Sequence, residues 1–587
     1  MGLGCEVRDN GQVSFTVWAP HCTSVVLEFA RGPDAVQFGE MDVSRTEDGG
    51  FWSVTAGKEV KLGDLYRFRM ETEGGTECFY RRDPYARYTQ GGDSKWCVIT
   101  DRGESFAWTD WEPRPFDENV IYEMHIGSFT KEGTLEAAIK KLDHVAGLGF
   151  TALELMPMAE FSHATESWGY NPRQLLAIHP EYGSPDMMRK FVNRAHELKM
   201  GVIIDVVLHH GSVDGNELWD YDGWSHEGGI YHERAGDTPW GKQFAFWKTE
   251  VMDMLRAACS LWLGSEYKCD GLRFDSVNDL PPHVVTNLTW AMHEQHPGRI
   301  LTAEVTPENP QALHDYGLDS LWVHSGYFDI IQQHRALGRG HHGGGDWAEG
   351  WNLPRLRTVM ALHYGFESPT QCVKYILGSH DQVGCSHGGG HYEDYKMIGG
   401  QHRYAADQFG GGRADTGAVN AVRLWYGANI GASGLVMMFM GSEWHQHGWW
   451  NPDEHHGLDW SLGEDDVGKK MCSLVQDANA LREKYVCLRK GGVRILHEDR
   501  ANGIMASERT FDTERIVIIV NAGQGGFVGG DYGIWVEYGR FEQIFSTQDP
   551  KYSGWDDCPS NTEDIVEYDG KIHLRIPHQC TLFLLQK

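Results

Sequence analysis

From about residue 119 the chain alternates between two hydrophobic rhythms. Short apolar runs of strand length recur eight times: "VIYEMHIGSF", "FTALELMPM", "GVIIDVVLHH", "CDGLRFDSV", "RILTAEV", "SLWVHS", "VKYILGSHD" and "GLVMMFMGSE". Between several of them lie stretches with a helical period, such as "TLEAAIKKLDHVAGLG" and "SPDMMRKFVNRAHELKMG". The second predicts a helix opened by a Ser cap and a Pro and closed on Gly. Strands that alternate with helices predict an α/β fold, and eight of them predict a (β/α)8 TIM barrel, placed over residues 106–484. A long stretch rich in Gly and aromatic residues follows "DVVLHH" and predicts a lobe over the barrel mouth after the third strand.

The flanks have a different period. Over residues 1–105, "GQVSFTVWAPHCTSVVLEF", "GGFWSVTAG" and "LGDLYRFRME" alternate polar and apolar positions between Gly and Asp turns, which predicts an N-terminal β-sandwich. The pattern changes at the Pro-rich "FAWTDWEPRPFDEN". Beyond residue 485, "ERIVIIVNAG", "GIWVEYGRFEQIFST" and "KIHLRIPHQCTLFLLQ" predict a second sandwich over 485–587. A chain of 587 residues is too long for one core, so several domains are expected in any case.

Charge narrows the partners. The formal net charge of −31 is spread along the chain and argues against nucleic acid or an anionic membrane as partner, since both demand a basic face. It suits a protein acting on a neutral ligand, and the 22 Trp permit carbohydrate, whose rings stack on indole. No run of about 18 apolar residues predicts a membrane helix. The start, "MGLGCEVRDNGQVSF", has no signal-peptide pattern, and the 12 Cys show no paired spacing, so a reducing cytoplasm is expected, a plastid being compatible. The Gly/His segments "GRGHHGGGDW" and "CSHGGGHYED" have no metal-ligand spacing; no metal and no redox or nucleotide cofactor is expected.

Chemistry in such a barrel sits at the C-terminal ends of the strands. In "CDGLRFDSV", alternation places Gly271, Arg273 and Asp275 on one face. An internal ion pair serving stability would explain Arg273 and Asp275 alone. Other strand ends add Asp205, His209 and His210, then Glu304, then His380 and Asp381. Several carboxylates at one rim, without a zinc cluster, a phosphate loop or a GxSxG elbow, fit glycosidic-bond chemistry. In that chemistry one carboxylate attacks the anomeric carbon while a protonated one serves the leaving oxygen. Arg273 is expected to keep Asp275 ionised as the nucleophile. Glu304 has no basic residue in "LTAEVTPE", so burial and nearby carboxylates are expected to raise it, as a general acid requires.

These residues resemble the α-amylase family of glycoside hydrolases and transglycosylases, whose four short motifs are echoed in order by "DVVLHH", "GLRFDSVND", "LTAEV" and "LGSHDQ". The segment "VSFTVWAP" resembles the family 48 carbohydrate-binding module. The resemblance implies Asp275 as nucleophile, Glu304 as acid/base and Asp381 as the third carboxylate. It implies that Arg273 orients Asp275, that His210 and His380 bind the reacting glucose, that Asp205 anchors the cluster and that Tyr170 in "WGYNP" stacks on sugar. His209 stands where the family commonly has Asn, often a calcium ligand, which again speaks against a metal. Within the family, "DGWSHEGGIYHE", "TPWGKQFAFWKTEV", "FMGSEW" and "WWNPDEHHGLDW" resemble branching enzymes. "IGSFTKEGTLEAAIKKL" and "LELMPMAEF" also suit maltooligosyl-trehalose trehalohydrolases. The implied partner is an α-glucan (glycogen, amylose or amylopectin), acted on by a monomer. A non-catalytic glucan-binding relative would be expected to lack a carboxylate, and all three are present.

Overall fold

The computed structural model describes every residue except 1, 9, 48–49, 76–77, 163–167, 339–350, 363–364, 384–403, 448–456 and 555–557. The segment "CSHGGGHYED" and most of "GRGHHGGGDW" and "WWNPDEHHGLDW" lie outside the described residues.

The eight apolar runs form a closed parallel barrel in chain order. Its strands are Val120–Met124, Ala152–Leu155, Gly201–Val206, Gly271–Phe274, Ile300–Ala303, Ser320–Val323, Cys372–Lys374 and Leu435–Phe439, and the first pairs with the eighth through Val120 and Val436. The two-residue period of a strand explains the barrel interior. Ile121, Ala152, Ile203, Val373 and Met437 cluster as an apolar floor. Two residues further along their strands, the same faces carry Glu123, Glu154 and Asp205, and Arg273 stands two beyond Gly271. Register aligns Glu123 with Glu154, Asp205 with Arg273, and Arg273 with Thr302. A polar level therefore sits directly above the floor.

The strands end earlier than their apolar runs. Asp275 and Glu304 each follow the last strand residue, and the seventh strand is only three residues long, so His380 and Asp381 open a one-turn helix, His380–Val383. The helix in "SPDMMRKFVNRAHELKMG" spans Pro185–Glu197, with the Ser184 side chain accepting from the Met187 amide. It closes on Lys199 in a left-handed conformation (φ 63°) rather than on Gly, since Gly201 already opens the third strand. "TLEAAIKKLDHVAGLG" forms two short helices, Leu135–Ile139 and Leu142–Gly147.

The insertion after the third strand contains a three-stranded antiparallel sheet, His210–Ser212, Gly241–Phe244 and His232–Thr238. Before the barrel stand two sheets, one built around Val13–Trp18 and Phe51–Ala56, the other around Cys22–Arg31 and Leu65–Thr72. Arg82 of this N-terminal module pairs with buried Glu160 at 3.0 Å, and His21 with buried Asp222 at 2.7 Å, which fastens it to the barrel's loops. The C-terminal region is all-β, a six-stranded sheet with a two-stranded ribbon, Phe527–Trp535 and Lys571–Ile576. No helix among the described residues is long and apolar enough to cross a membrane.

Candidate active site

Arg273 lies at the centre of the rim and is fully buried. Its Nη1 donates to Asp205 Oδ2 at 2.8 Å and to Asp275 Oδ1 at 2.7 Å, and its Nη2 donates to Glu304 Oε2 at 2.7 Å. Beneath the guanidinium lies the Trp322 ring, 4.2 Å from its centroid, which supports it by cation–π attraction. One cation thus gathers carboxylates from three adjacent strands.

The backbone holds the two outer carboxylates in register beyond the strand ends. The Asp275 amide donates to the Val206 carbonyl at 3.1 Å, the Glu304 amide to Phe274 at 3.0 Å, and the Val277 amide to Glu304 at 3.0 Å. Ser276, between them, is left-handed at φ 39°, a conformation a non-Gly residue adopts at a cost of about 1–3 kcal/mol. This turn aims its amide at Glu304 Oε2, 3.3 Å away, and its hydroxyl donates to Asp279 at 2.6 Å.

Tyr170 and His380 form the opposite wall. The Tyr170 hydroxyl donates to Asp205 Oδ2 at 2.6 Å, and its ring stacks on His380 at 5.1 Å. Gly169 enables this placement. At φ 102° it sits where a Cβ would come within 2.8 Å of the Pro157 carbonyl, so any side chain there would displace Tyr170. His380 pairs through Nδ1 with Glu123 Oε1 at 2.5 Å and through Nε2 with Asp381 Oδ1 at 3.3 Å. Burial opposes its charge, but Asp381 and Glu123 outweigh burial and raise its pKa to about 9. His380 is therefore an imidazolium at neutral pH. Its folded pKa exceeds the unfolded value of about 6.5, so the stabilisation it supplies is complete below that value and disappears as pH rises through 9. Wild-type protein should lose thermal stability between pH 7 and 10 more steeply than His380→Gln, which melting curves across that range would measure.

His210 is buried, and burial, then neighbouring His209, keep its ring neutral. His209 Nδ1 lies 4.0 Å from Asp275 Oδ2, so the position where a calcium-ligating Asn was the family expectation faces the Asp275 carboxylate instead. No cluster of three potential metal ligands occurs among the described residues.

The expected proton distribution is corrected by this geometry. Burial pushes Asp275 upward, and Glu304 and Asp205 push it further than Arg273 can offset. At Glu304 burial also acts upward, but Arg273, the hydrogen-bonded His324 and His380 prevail and hold the carboxyl well below its usual range. The sequence neighbourhood of Glu304 lacks a cation, whereas space supplies two: Arg273 from the fourth strand and His324 Nε2 at 3.2 Å from the end of the sixth. These surroundings favour the proton on Asp275 over Glu304.

All eight expected site residues converge on this rim. Five others that the strand-end pattern missed complete it: Glu123, Glu154, Trp168, Trp322 and His324. Trp168 meets the His380 ring edge-on at 5.8 Å. Both Glu154 oxygens are buried without a hydrogen-bond partner among the described residues, and so are Thr302 Oγ1, Ser320 Oγ and Trp322 Nε1 of the barrel interior. Burial, then Glu123, raise the Glu154 carboxyl well above its usual value, so it is a neutral acid. Glu154→Gln preserves that neutral shape and should leave the melting temperature within a few degrees of wild type, whereas Glu154→Ala, which opens a cavity, should lower stability by about 2–3 kcal/mol in denaturant titrations.

Barrel, rim and clustered carboxylates define a class, the (β/α)8 enzymes that act on glycosidic bonds. Within it, the chain is similar to the α-amylase family: residues 104–250 match the Alpha amylase, catalytic domain model, and residues 2–86 match Carbohydrate-binding module 48 (Isoamylase N-terminal domain). The first match contains Tyr170, Asp205 and His210 and ends before Arg273, Asp275, Glu304, His380 and Asp381. A malto-oligosyltrehalose trehalohydrolase of Saccharolobus solfataricus is 31% identical over 337 residues, 55% of each chain, so the match spans about half that relative's length. A 1,4-alpha-glucan branching enzyme GlgB of Picrophilus torridus is 26% identical over 590 residues, 93% of this chain and 76% of that one. A pullulanase of an Anoxybacillus species, solved with maltotetraose, superposes with a TM-score of 0.77 at 17% identity over 100% of this chain and 87% of its own, a likeness of fold.

Proposed function

We propose that the protein is a retaining transglycosylase that cleaves α-1,4 linkages in a glucan and transfers the released chain to a 6-hydroxyl, making α-1,6 branches. The observation that carries the chemistry is the single guanidinium between Asp275 and Glu304, which suits the ~5–5.5 Å separation of a retaining carboxylate pair. Asp275 attacks the anomeric carbon and the C–O bond to the departing chain breaks as Glu304 delivers a proton to that oxygen. Glu304 then removes the proton of the accepting hydroxyl as that oxygen displaces Asp275, so the anomeric configuration returns to α.

The surroundings of the pair favour the proton on Asp275, the wrong partner for the first step, and glucan binding has to exchange it. Positive charge developing at the anomeric carbon favours ionised Asp275. Displacement of water around the leaving oxygen favours protonated Glu304. His380, as a cation held by Glu123, and Asp381 beside it would grip hydroxyls of the reacting sugar, with Tyr170 stacked against His380. Neutral His210 would donate a further hydrogen bond, and Asp205 would keep Tyr170 and Arg273 in place.

Transfer rather than hydrolysis is favoured by the span of the likeness to branching enzymes, which runs through both flanking modules. Trehalohydrolase activity is the second reading, favoured by the higher identity over half the chain. Incubation with amylose separates the two. Branching lowers iodine colour, creates α-1,6 linkages visible by proton NMR and releases few reducing ends. Hydrolysis releases many reducing ends, and a trehalohydrolase releases trehalose from maltooligosyl-trehalose while leaving amylose intact.

A further inference from the structure

A cavity of about 400 Å³ lies at the seam between the N-terminal module and the insertion after the third barrel strand. Arg81 and Lys95 line it from the module; Glu217, Trp219, Asp220 and Lys242 line it from the insertion. Its volume lies in the usual range for a small-ligand site.

The lining has a definite chemistry. Each cation already has an acidic partner: Arg81 meets Asp220 at 3.0 Å, Lys95 meets Glu217 at 2.7 Å, and Lys242 pairs with Asp237. The Lys242 ammonium also lies 4.5 Å above the Trp219 ring. With the charges paired, the cavity has no net attraction for a phosphate or a carboxylate. It keeps unused hydrogen-bonding capacity of both kinds, since an ammonium has three donors and a carboxylate about four acceptor sites. A neutral, hydroxyl-rich ligand uses both without breaking an ion pair.

The cavity and the rim are joined by one short strand. His210 opens the short strand His210–Ser212, and Ser212 and Val213 form part of the cavity wall. That strand pairs with Gly241–Phe244, in which Lys242 faces Gly211. Trp240, which precedes Gly241 of that strand, is 42% exposed, its ring 6.0 Å from His210 and 5.8 Å from His209. Val213, 61% exposed, marks the cavity edge.

We infer that this seam is a remote subsite for the same glucan chain, filled by glucose units that extend from the reacting sugar past Trp240 and Val213. The inference rests on the proposed glucan chemistry and adds that chain length is read jointly by the N-terminal module and the insertion. Occupation of the seam would also bear on the strand that carries His210.

The test uses the full chain in an Asp275→Asn background, so that binding is measured without turnover. Calorimetric titration with maltotriose and with a linear glucan of about twelve units gives two affinities. The longer ligand should bind at least about tenfold more tightly. Val213→Trp, which fills the cavity edge from an exposed position, should abolish that gain and leave maltotriose binding unchanged. Lys95→Ala, on the module side, should reduce the gain by several-fold. An undiminished gain in Val213→Trp overturns the subsite while leaving the glucan reading intact, as does an equal loss for both ligands. A protein that binds neither glucan overturns the functional reading and the subsite together. Transfer and hydrolysis give the same binding result, so the identity of the product does not enter.

Discussion

An Asp275→Asn enzyme is expected to lose glucan turnover by on the order of 10⁴-fold or more, with its fold and its affinity for glucan retained. The amide cannot form the glycosyl ester, and removal of a nucleophile from a double displacement leaves only the contributions of binding and of the remaining site groups. Folding should survive because the change removes a carboxylate that burial already strains, while Arg273 keeps Asp205 and Glu304 as partners. Reducing-end and iodine assays on amylose measure the loss. Full turnover by the variant would mean that the attack comes from another group. Chemical rescue adds a sharper check, because azide or formate can attack the anomeric carbon in place of the missing carboxylate.

The second large effect falls on Arg273. Its replacement by Met would bury Asp205, Asp275 and Glu304 against one another without the cation they share. Breaking a buried ion pair by removing one partner costs about 3–5 kcal/mol, and here three carboxylates share the partner that is lost. The expected result is a melting temperature lower by many degrees at pH 7, partly recovered at pH 5, where the carboxylates can take up protons. Arg273→Lys should recover part of the stability but little activity, since a single ammonium cannot span Asp275 and Glu304 with separate nitrogens as the guanidinium does. Thermal melts at the two pH values, paired with turnover measurements, check both statements. Equal destabilisation at both pH values would show that Arg273 acts through packing on Trp322 rather than through charge.

The barrel was legible because each of its strands lies in a predominantly apolar run, and the run's end marked the rim. Asp205, Glu304, His380 and Asp381 could be found by that rule alone. His324 ends the sixth run, "SLWVHS", in the same way, and the same rule applied to that strand would have found it. Glu123 and Glu154 were hidden differently. Each is one polar residue inside a run that otherwise reads as core, and only the register that sets them side by side reveals a polar level in the barrel. Trp322 looked like one more core aromatic, which it also is; its contact with Arg273 depends on a crossing of the barrel lumen that no local pattern encodes.

The proton inventory was the least legible part. A window of residues around Glu304 contains no base, yet strands four and six deliver Arg273 and His324 to it across the rim. Charge at a strand end is set by neighbours in space, so the sequence found which groups titrate and not which of them holds the proton. The helix that closes on Lys199 makes the same point at smaller scale. The glycine that looked like its cap was needed one element later, where the third strand begins.

The retaining mechanism at Asp275 is tested most directly by trapping its intermediate. A 5-fluoro-α-glucosyl fluoride donor loses fluoride from its anomeric carbon without needing a proton, and its ring fluorine slows the second step, so the glycosyl-enzyme should accumulate. The account predicts that the intact mass rises by one fluoroglucosyl unit and that peptide mapping places the ester on Asp275. An adduct on a different residue, or steady turnover of the donor with inverted configuration and no adduct at all, would contradict it.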